Sequence, residues 1–285
     1  LHLNVGDPNI FDFAPCEALV EATVSAIRSN RNGYAPSSGI PEAVEAITEE
    51  AHRGGIRNIH HVAVTSGASE AIELALAALA DPGDNVLVPS PGYPLYTAVL
   101  AKLDVAGRGY HLDESNHWMP DPEEIRGMID DRTRALVLIN PNNPTGCQCD
   151  EATLRRVLDL CIEHDIVLFS DEIYDKLVFD GRTHVCSASL APEAKVITFN
   201  GLSKSYVVPG FRMGWGIVSG PEGEMEAFCE AMAKMERARL SSNHPEQYAI
   251  PAVLGKVQEH IDGVVAKMQA RRDLTVERLN AMPGI

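Results

Sequence analysis

An α/β fold, with a mostly parallel sheet carrying helices on both faces, is the architecture this sequence predicts. Short runs rich in Val, Ile, Leu and Phe recur between residues 62 and 199, each bounded by turn residues and too short for a helix. Longer helical segments alternate with these runs and bury them on both sides, as a parallel sheet requires. Glycine-, proline- and serine-rich turns follow several of the runs, where such sheets gather functional groups.

In chain order, L-N-V-G-D-P-N (residues 3–9) reads as extended chain with a turn. An amphipathic helix is predicted over 15–29, with Pro15 in its first turn. The loop N-R-N-G-Y-A-P-S-S-G-I-P follows, then a second helix from near Pro41. Strands are predicted at 62–65, 85–88, 106–110, 135–139, 166–170 and 196–199, with helices at 69–80, 122–129 and 151–164 between them. Beyond Gly220 the pattern turns helical, over 222–237, 246–260 and a long run from 262 to 282. No internal repeat or low-complexity linker interrupts the chain.

Composition narrows the partners. Forty acidic against 24 basic residues give a formal charge of −16, which argues against nucleic acid and against an anionic membrane surface. No apolar run has the length of a membrane span, and the first residues do not resemble a signal peptide. The six cysteines are scattered apart from Cys147 and Cys149, a single C-x-C without a second pair at zinc-ligand spacing, so reduced thiols in a cytoplasmic protein are expected. His60 and His61 are adjacent beside a strand, project to opposite faces and do not share a metal. The chain starts at Leu1 without methionine and stops at Ile285 in mid-pattern, so truncation at both ends is expected.

The stretch 196–216, V-I-T-F-N-G-L-S-K-S-Y-V-V-P-G-F-R-M-G-W-G, concentrates the chemistry. A loop lysine is ordinarily a solvated surface group. Lys204, however, lies between Ser203 and Ser205, follows a buried strand, and has Arg212 eight positions on. That is a setting for a nucleophilic amine beside a phosphate. T-S-G-A-S-E (65–70) is a strand running through a small-residue turn into a helix. It reads either as a serine-capped helix, through Ser66 or Ser69, or as an anion cradle formed by Gly67, Ala68 and Ser69 at a helix N-terminus. Arg212 favours the cradle.

Three more strand-end motifs add to this. In P-S-P-G-Y-P-L-Y (89–96), prolines 89, 91 and 94 fix an irregular loop that holds Tyr93, either as a core tyrosine or as a face for a flat heteroaromatic ring. In I-N-P-N-N-P-T-G (139–146), which also reads as a plain turn, two prolines keep Asn140 and Asn143 extended, so their amides are displayed. In L-F-S-D-E-I-Y-D-K-L (168–177), Asp171 ends a strand. It either caps a loop or, buried, needs a cationic partner.

The pattern G-L-S-K-x-x-V-V-x-G-x-R-M-G resembles the lysine signature of the class I/II (fold type I) pyridoxal-phosphate aminotransferases, and N-P-N-N-P-T-G and D-E-x-Y match further motifs of that family. The resemblance implies a fold type I large domain with the C-terminal small domain largely absent. Residues 1–30 would be an N-terminal arm and helix, 31–260 the cofactor-binding domain, and 261–285 the start of a connecting helix. It implies pyridoxal 5'-phosphate as cofactor and Lys204 as its Schiff-base lysine. Gly67, Ala68, Ser69 and Arg212 would lie around its phosphate, and Ser203 would also contact the cofactor, with Tyr93 on its ring and Asp171 on its pyridine nitrogen. Asn143 and Tyr174 would bond its phenolic oxygen, Asn143 and Gly6 would meet the substrate, and Tyr34 would reach the phosphate of a homodimer partner. Tyr34 also reads as an ordinary surface-loop tyrosine.

Transfer of an amino group between an L-amino acid and a 2-oxo acid, with ping-pong kinetics, is the implied reaction. The phrases L-N-V-G-D-P, D-E-I-Y-D-K and F-N-G-L-S-K-S-Y most resemble bacterial-type glutamate–pyruvate (alanine) aminotransferases. The family's second, substrate-carboxylate arginine has no counterpart here, and Arg239 is left without a role. The alternatives are a C–S β-lyase on the same fold, an aminotransferase-like effector domain of a regulator, and a non-catalytic remnant.

Overall fold

The computed structural model describes residues 6–284, so Leu3, Asn4 and Val5 of the predicted arm lie outside the described residues. Eight strands form one sheet: β1 (Ile59–Ser66), β2 (Asn85–Ser90), β3 (Ala106–Asp113), β4 (Met119–Pro120), β5 (Thr133–Ile139), β6 (Val167–Asp171), β7 (Val196–Gly201) and β8 (Met213–Ser219). Their order is β1-β8-β7-β6-β5-β2-β3-β4. Strands β3, β2, β5, β6 and β7 run parallel, while β8 is antiparallel to both of its neighbours and β4 to β3.

Helices α1 (Glu17–Arg28), α2 (Pro41–Arg53), α3 (Ala68–Leu79), α4 (Pro94–Lys102), α5 (Pro122–Met128) and α6 (Glu151–Glu163) interleave with the strands. The short α7 (Ser187–Leu190), then α8 (Glu226–Ala238), α9 (His244–Gln247), α10 (Ala249–Val253) and α11 (Gln258–Asn280) follow. Alternate residues of the buried strands feed two cores. Val137, Phe169, Ile197 and Phe199 pack with α3, α4 and α8, whereas Leu136, Leu168, Val196 and Ile217 pack with α2, α6 and α10. This is the mostly parallel, doubly covered sheet that the alternating pattern predicts. Among the described residues no helix is long and apolar enough to cross a membrane.

Several predicted elements need correction. The segment 213–219, not predicted as a strand, is β8. Two glycines lower its strand propensity, yet it is paired along both edges and wholly buried. Its Gly214 is required there, because a Cβ would collide with the backbone of Gly67 and Ala68 at the start of α3. The loop proposed for 89–96 is shorter than expected. Pro89 belongs to β2, beyond Leu87 where the ladder to β5 stops, and Pro94 opens α4 in the first helical turn. Buried Tyr96, Val99 and Leu100 then share one face of that helix.

The helix predicted over 222–237 starts at Glu226, after a turn with Gly223 at φ +82. The one predicted over 246–260 is instead α9 and α10, ended by extended Leu254 and by Gly255 at φ +67. The long terminal helix accordingly begins at Gln258. His60 and His61 lie within β1 and meet different partners, His60 the Gly220 carbonyl and His61 the Glu236 carboxylate at 2.6 Å. All six cysteines are free.

The fit of β8 against α3 can be tested with two alanines. Gly214→Ala should destabilise by about 1–3 kcal/mol through overpacking against backbone. Gly216→Ala, whose Cβ would meet only side chains, Ala71 and Phe199, at 3.6 Å, should change little. Urea denaturation midpoints of both variants measure the difference, and equal midpoints would contradict the packing described.

Candidate active site

The carboxyl ends of β5, β6 and β7 and the N-terminus of α3 surround a cavity of about 110 Å³. At one end, Gly67 caps α3 with φ +82, a conformation glycine adopts without cost, and no side chain caps the helix. Neither predicted serine cap forms. The first-turn amides of Ala68 and Ser69 are left without acceptors among the described residues, and the helix dipole adds positive potential. Arg212 lies across this turn. Its Nη2 donates to Ser69 Oγ at 2.9 Å and to the Ser66 carbonyl at 3.4 Å, and a Cβ on Gly67 would sit 2.5 Å from the same nitrogen. No carboxylate among the described residues pairs with Arg212. An exposed guanidinium and open helix amides together make a seat for an anion.

Asp171 closes the other end. It is the last residue of β6, in register with Ile139 and Phe199, and is 4% exposed. Burial pushes its carboxyl up to about 6, against the hydrogen bonds from the Ile173 amide at 3.3 Å and the Tyr96 hydroxyl at 3.0 Å. Tyr174 lies across from Asn143, whose Nδ2 donates to the phenol oxygen at 3.5 Å. Burial first, then the Asp171 charge, raises the Tyr174 phenol to about 12, so it stays a neutral donor.

Lys204 stands between the two ends, in the turn after β7. Its Nζ is 5.8 Å from the Tyr174 ring centroid and has no hydrogen-bond or ion-pair partner among the described residues. Burial, then the charge of Arg212, lowers its pKa and enlarges the neutral, nucleophilic fraction. The turn is strained. Val207 is β-branched and fully buried yet has φ +58, a conformation that costs about 1–3 kcal/mol. It is held by the Asn9 side chain, which donates to its carbonyl at 2.9 Å, and by packing with Phe13 and Val264.

The cavity thus brings together Ala68, Ser69, Tyr93, Asn143, Asp171, Tyr174, Ser203, Lys204 and Arg212, with Gly67 directly behind. Tyr34 and Gly6 are outside it. Tyr34 is 82% exposed, and nothing lies within 4 Å of a Cβ on Gly6. Arg239 ties elements together instead, donating to the Val64 and Ser37 carbonyls and pairing with Glu70. Tyr96 was missed by sequence reasoning; its only signal is its place three residues after Tyr93 in a helix begun by Pro94. A larger cavity of about 580 Å³ lies between α2, β7, β8 and α11 and shares none of these residues.

Which group fits is decided by the two ends. One takes an anion; the other takes a cation that must itself be buried beside Asp171. A phosphorylated pyridine carries both charges, a ring to lie by Tyr93 and, as pyridoxal phosphate, a carbonyl for an isolated amine. Fold and site together define a pyridoxal-phosphate enzyme of fold type I. The sequence profile described as "Aminotransferase class I and II" matches residues 1–285. The glutamate–pyruvate aminotransferase AlaA of Escherichia coli K12 is 38% identical over all of this chain and 71% of its own length. An alanine aminotransferase of Mycobacterium tuberculosis is 38% identical, with 67% of its length covered. Among solved structures, an alanine aminotransferase from Pyrococcus furiosus superposes with a TM-score of 0.95 at 40% identity, covering 99% of this chain and 72% of that one. The chain belongs to the class I and II aminotransferases.

The raised Asp171 has a consequence for the cofactor-free protein. A carboxyl whose folded value, about 6, exceeds its ordinary 3.8 stabilises the fold below about pH 4, and this contribution is lost as pH rises through 6. At pH 7 the ionised group therefore costs roughly 3 kcal/mol. Asp171→Asn should make the cofactor-free protein more stable at pH 7 by about 1–3 kcal/mol, with the gain vanishing near pH 4. Urea melts at both pH values test this. A variant less stable at pH 7 would contradict it.

Proposed function

We propose that this chain carries the cofactor-binding machinery of an alanine-type aminotransferase, which moves an amino group between L-alanine or L-glutamate and pyruvate or 2-oxoglutarate in two half-reactions. The convergence of Asp171, Lys204 and Arg212 on one cleft carries the reading. The names of the relatives above support the substrate pair. Gly67, Ala68, Ser69, Ser203 and Arg212 would hold the phosphate, Tyr93 would cover the ring, and Asn143 and Tyr174 would bond its phenolic oxygen. When bound, the coenzyme supplies a carbonyl that condenses with amines and a cationic ring that takes up an electron pair. Asp171 would keep the ring nitrogen protonated, because a buried carboxylate and a pyridinium each remove the other's unpaired charge. Lys204 holds the cofactor between turnovers. When not bonded to the cofactor, its neutral amine would be placed to take the proton from the substrate Cα. Asn143 orients the substrate by its amide.

Assembly and domain limits belong to the same proposal. Tyr34, a large aromatic left 82% exposed, would reach the phosphate site of a second copy in a homodimer, and Gly6 would lie beside the substrate carboxylate. Residues 261–285 would lead into a small domain, since Leu274, Val276 and Leu279 of α11 are exposed and the relatives are longer. A cytoplasmic location fits the free thiols.

Lys204→Ala should abolish transamination between L-alanine and 2-oxoglutarate, by at least about 10³-fold, while pyridoxal phosphate still binds by fluorescence titration. In the unaltered protein L-alanine and L-glutamate should bleach the visible band of the bound cofactor. A Lys204→Ala protein that transaminates at the original rate would sink the assignment. Release of ammonia and pyruvate from cystathionine without bleaching by L-alanine would point to the lyase instead.

A further inference from the structure

Arg239 holds its charge beside the anion seat without lining it. The side chain reaches from the end of α8 to the end of β1, where Nη2 donates to the Val64 carbonyl at 2.8 Å and to the Ser37 carbonyl at 3.1 Å. Nη1 is buried and has no hydrogen-bond partner among the described residues. Nε lies 3.4 Å from Glu70 Oε2 but outside hydrogen-bonding geometry, so these two side chains interact as charges. Neutral carbonyls fix the guanidinium, and Glu70 is the carboxylate set against it. The two side chains are 14% and 26% exposed, so salt screens this pair less than it would a surface pair.

Glu70 is the third residue of α3, in its first turn. Its Oε2 accepts from the Ser66 amide at 2.7 Å, and the Ser66 carbonyl accepts from Arg212 Nη2 at 3.4 Å. The carboxylate is thereby built into the same turn that presents the Ala68 and Ser69 amides. An acidic group at a helix N-terminus draws on the positive potential that an incoming anion would use, and its own charge repels that anion. Alone, Glu70 would work against the seat. Arg239 opposes its charge at close range.

We propose that Arg239 is a positioning residue for the cofactor's phosphate, which acts through Glu70 by holding that carboxylate on the Ser66 amide and offsetting its charge. Arg212 would meet the phosphate directly, whereas Arg239 would keep the turn around it receptive to an anion. The inference rests on the proposed reading of residues 67–69 as a phosphate seat.

The full chain, freed of cofactor, is titrated with pyridoxal phosphate and, separately, with pyridoxal, which lacks the phosphate. Arg239→Ala should weaken pyridoxal phosphate about tenfold, the scale of one uncompensated charge at a helix N-terminus, and leave pyridoxal unchanged. Arg239→Lys keeps the charge but loses the forked bonds, and should stay within about threefold of the unaltered protein. Arg239→Ala/Glu70→Gln, which removes both charges, should regain most of the lost affinity. Glu70→Gln alone leaves the Arg239 side chain intact and should bind pyridoxal phosphate about threefold more tightly. A purely structural Arg239 predicts otherwise: Arg239→Ala would weaken both ligands equally, and the double variant would bind no better. Either result would overturn the proposal, as would weaker binding of pyridoxal phosphate by Glu70→Gln. An unaltered protein that does not prefer pyridoxal phosphate to pyridoxal would remove the seat itself, and the functional reading with it. A clear preference that none of these substitutions changes would refute this inference alone.

Discussion

One buried carboxylate without an ion-pair partner among the described residues sets the terms for this molecule. Asp171 is the buried last residue of a strand flanked on both sides; its hydrogen-bond partners are neutral donors, and the Lys204 amine acts on it through space without forming an ion pair. The Tyr96 hydroxyl and the Ile173 amide lower the cost of ionisation but do not remove it. A fold that retains this arrangement holds unfavourable energy that a cationic ring nitrogen would release, and under the proposed assignment that release would add to the cofactor's affinity. Glu172, the next residue, shows the contrast. It is equally buried yet has His184 at 2.9 Å together with Ser170 and the Ser187 amide, and its pKa is lowered. Adjacent carboxylates on the two faces of one strand end therefore differ in role because one is satisfied within the protein and the other is not.

The opposite end of the cleft depends on close approach of backbones. The antiparallel strand β8 can lie against the start of α3 only because residue 214 has no Cβ, and Arg212 can cross residue 67 only for the same reason. Arg212 is itself in the left-handed region, φ +52, at the end of the turn from Lys204. The strained Val207 stands in that turn, locked by Asn9 and by α11 through Val264. Amine and guanidinium are thus set at fixed positions by the same short segment, and the N-terminal and C-terminal parts of the chain both brace it.

The strands of the parallel core were legible because burial on both faces makes each one a continuous apolar run, as at 135–139 and 196–199. The cleft was legible because its residues sit at the ends of those runs, in turns whose glycines and prolines have few other uses. What stayed hidden was set by tertiary contact. The glycines of β8 look like loop, and only the neighbouring helix shows that one of them, Gly214, is required. Tyr96 gains its role from a carboxylate 75 positions away, which local pattern cannot report. The break near Gly255 is made by extended Leu254 and left-handed Gly255 inside an otherwise helical composition, and Pro251 does not mark it because it lies within α10 itself.

The central claim is that the amine of residue 204 is the group that bonds the cofactor between Asp171 and Arg212. Borohydride reduction of the loaded protein, followed by peptide mapping, tests it most directly, since reduction makes a lysine-bound carbonyl compound permanent. The account predicts one phosphopyridoxyl group, on Lys204. Its recovery on another lysine, or on none after saturation with pyridoxal phosphate, would contradict the account.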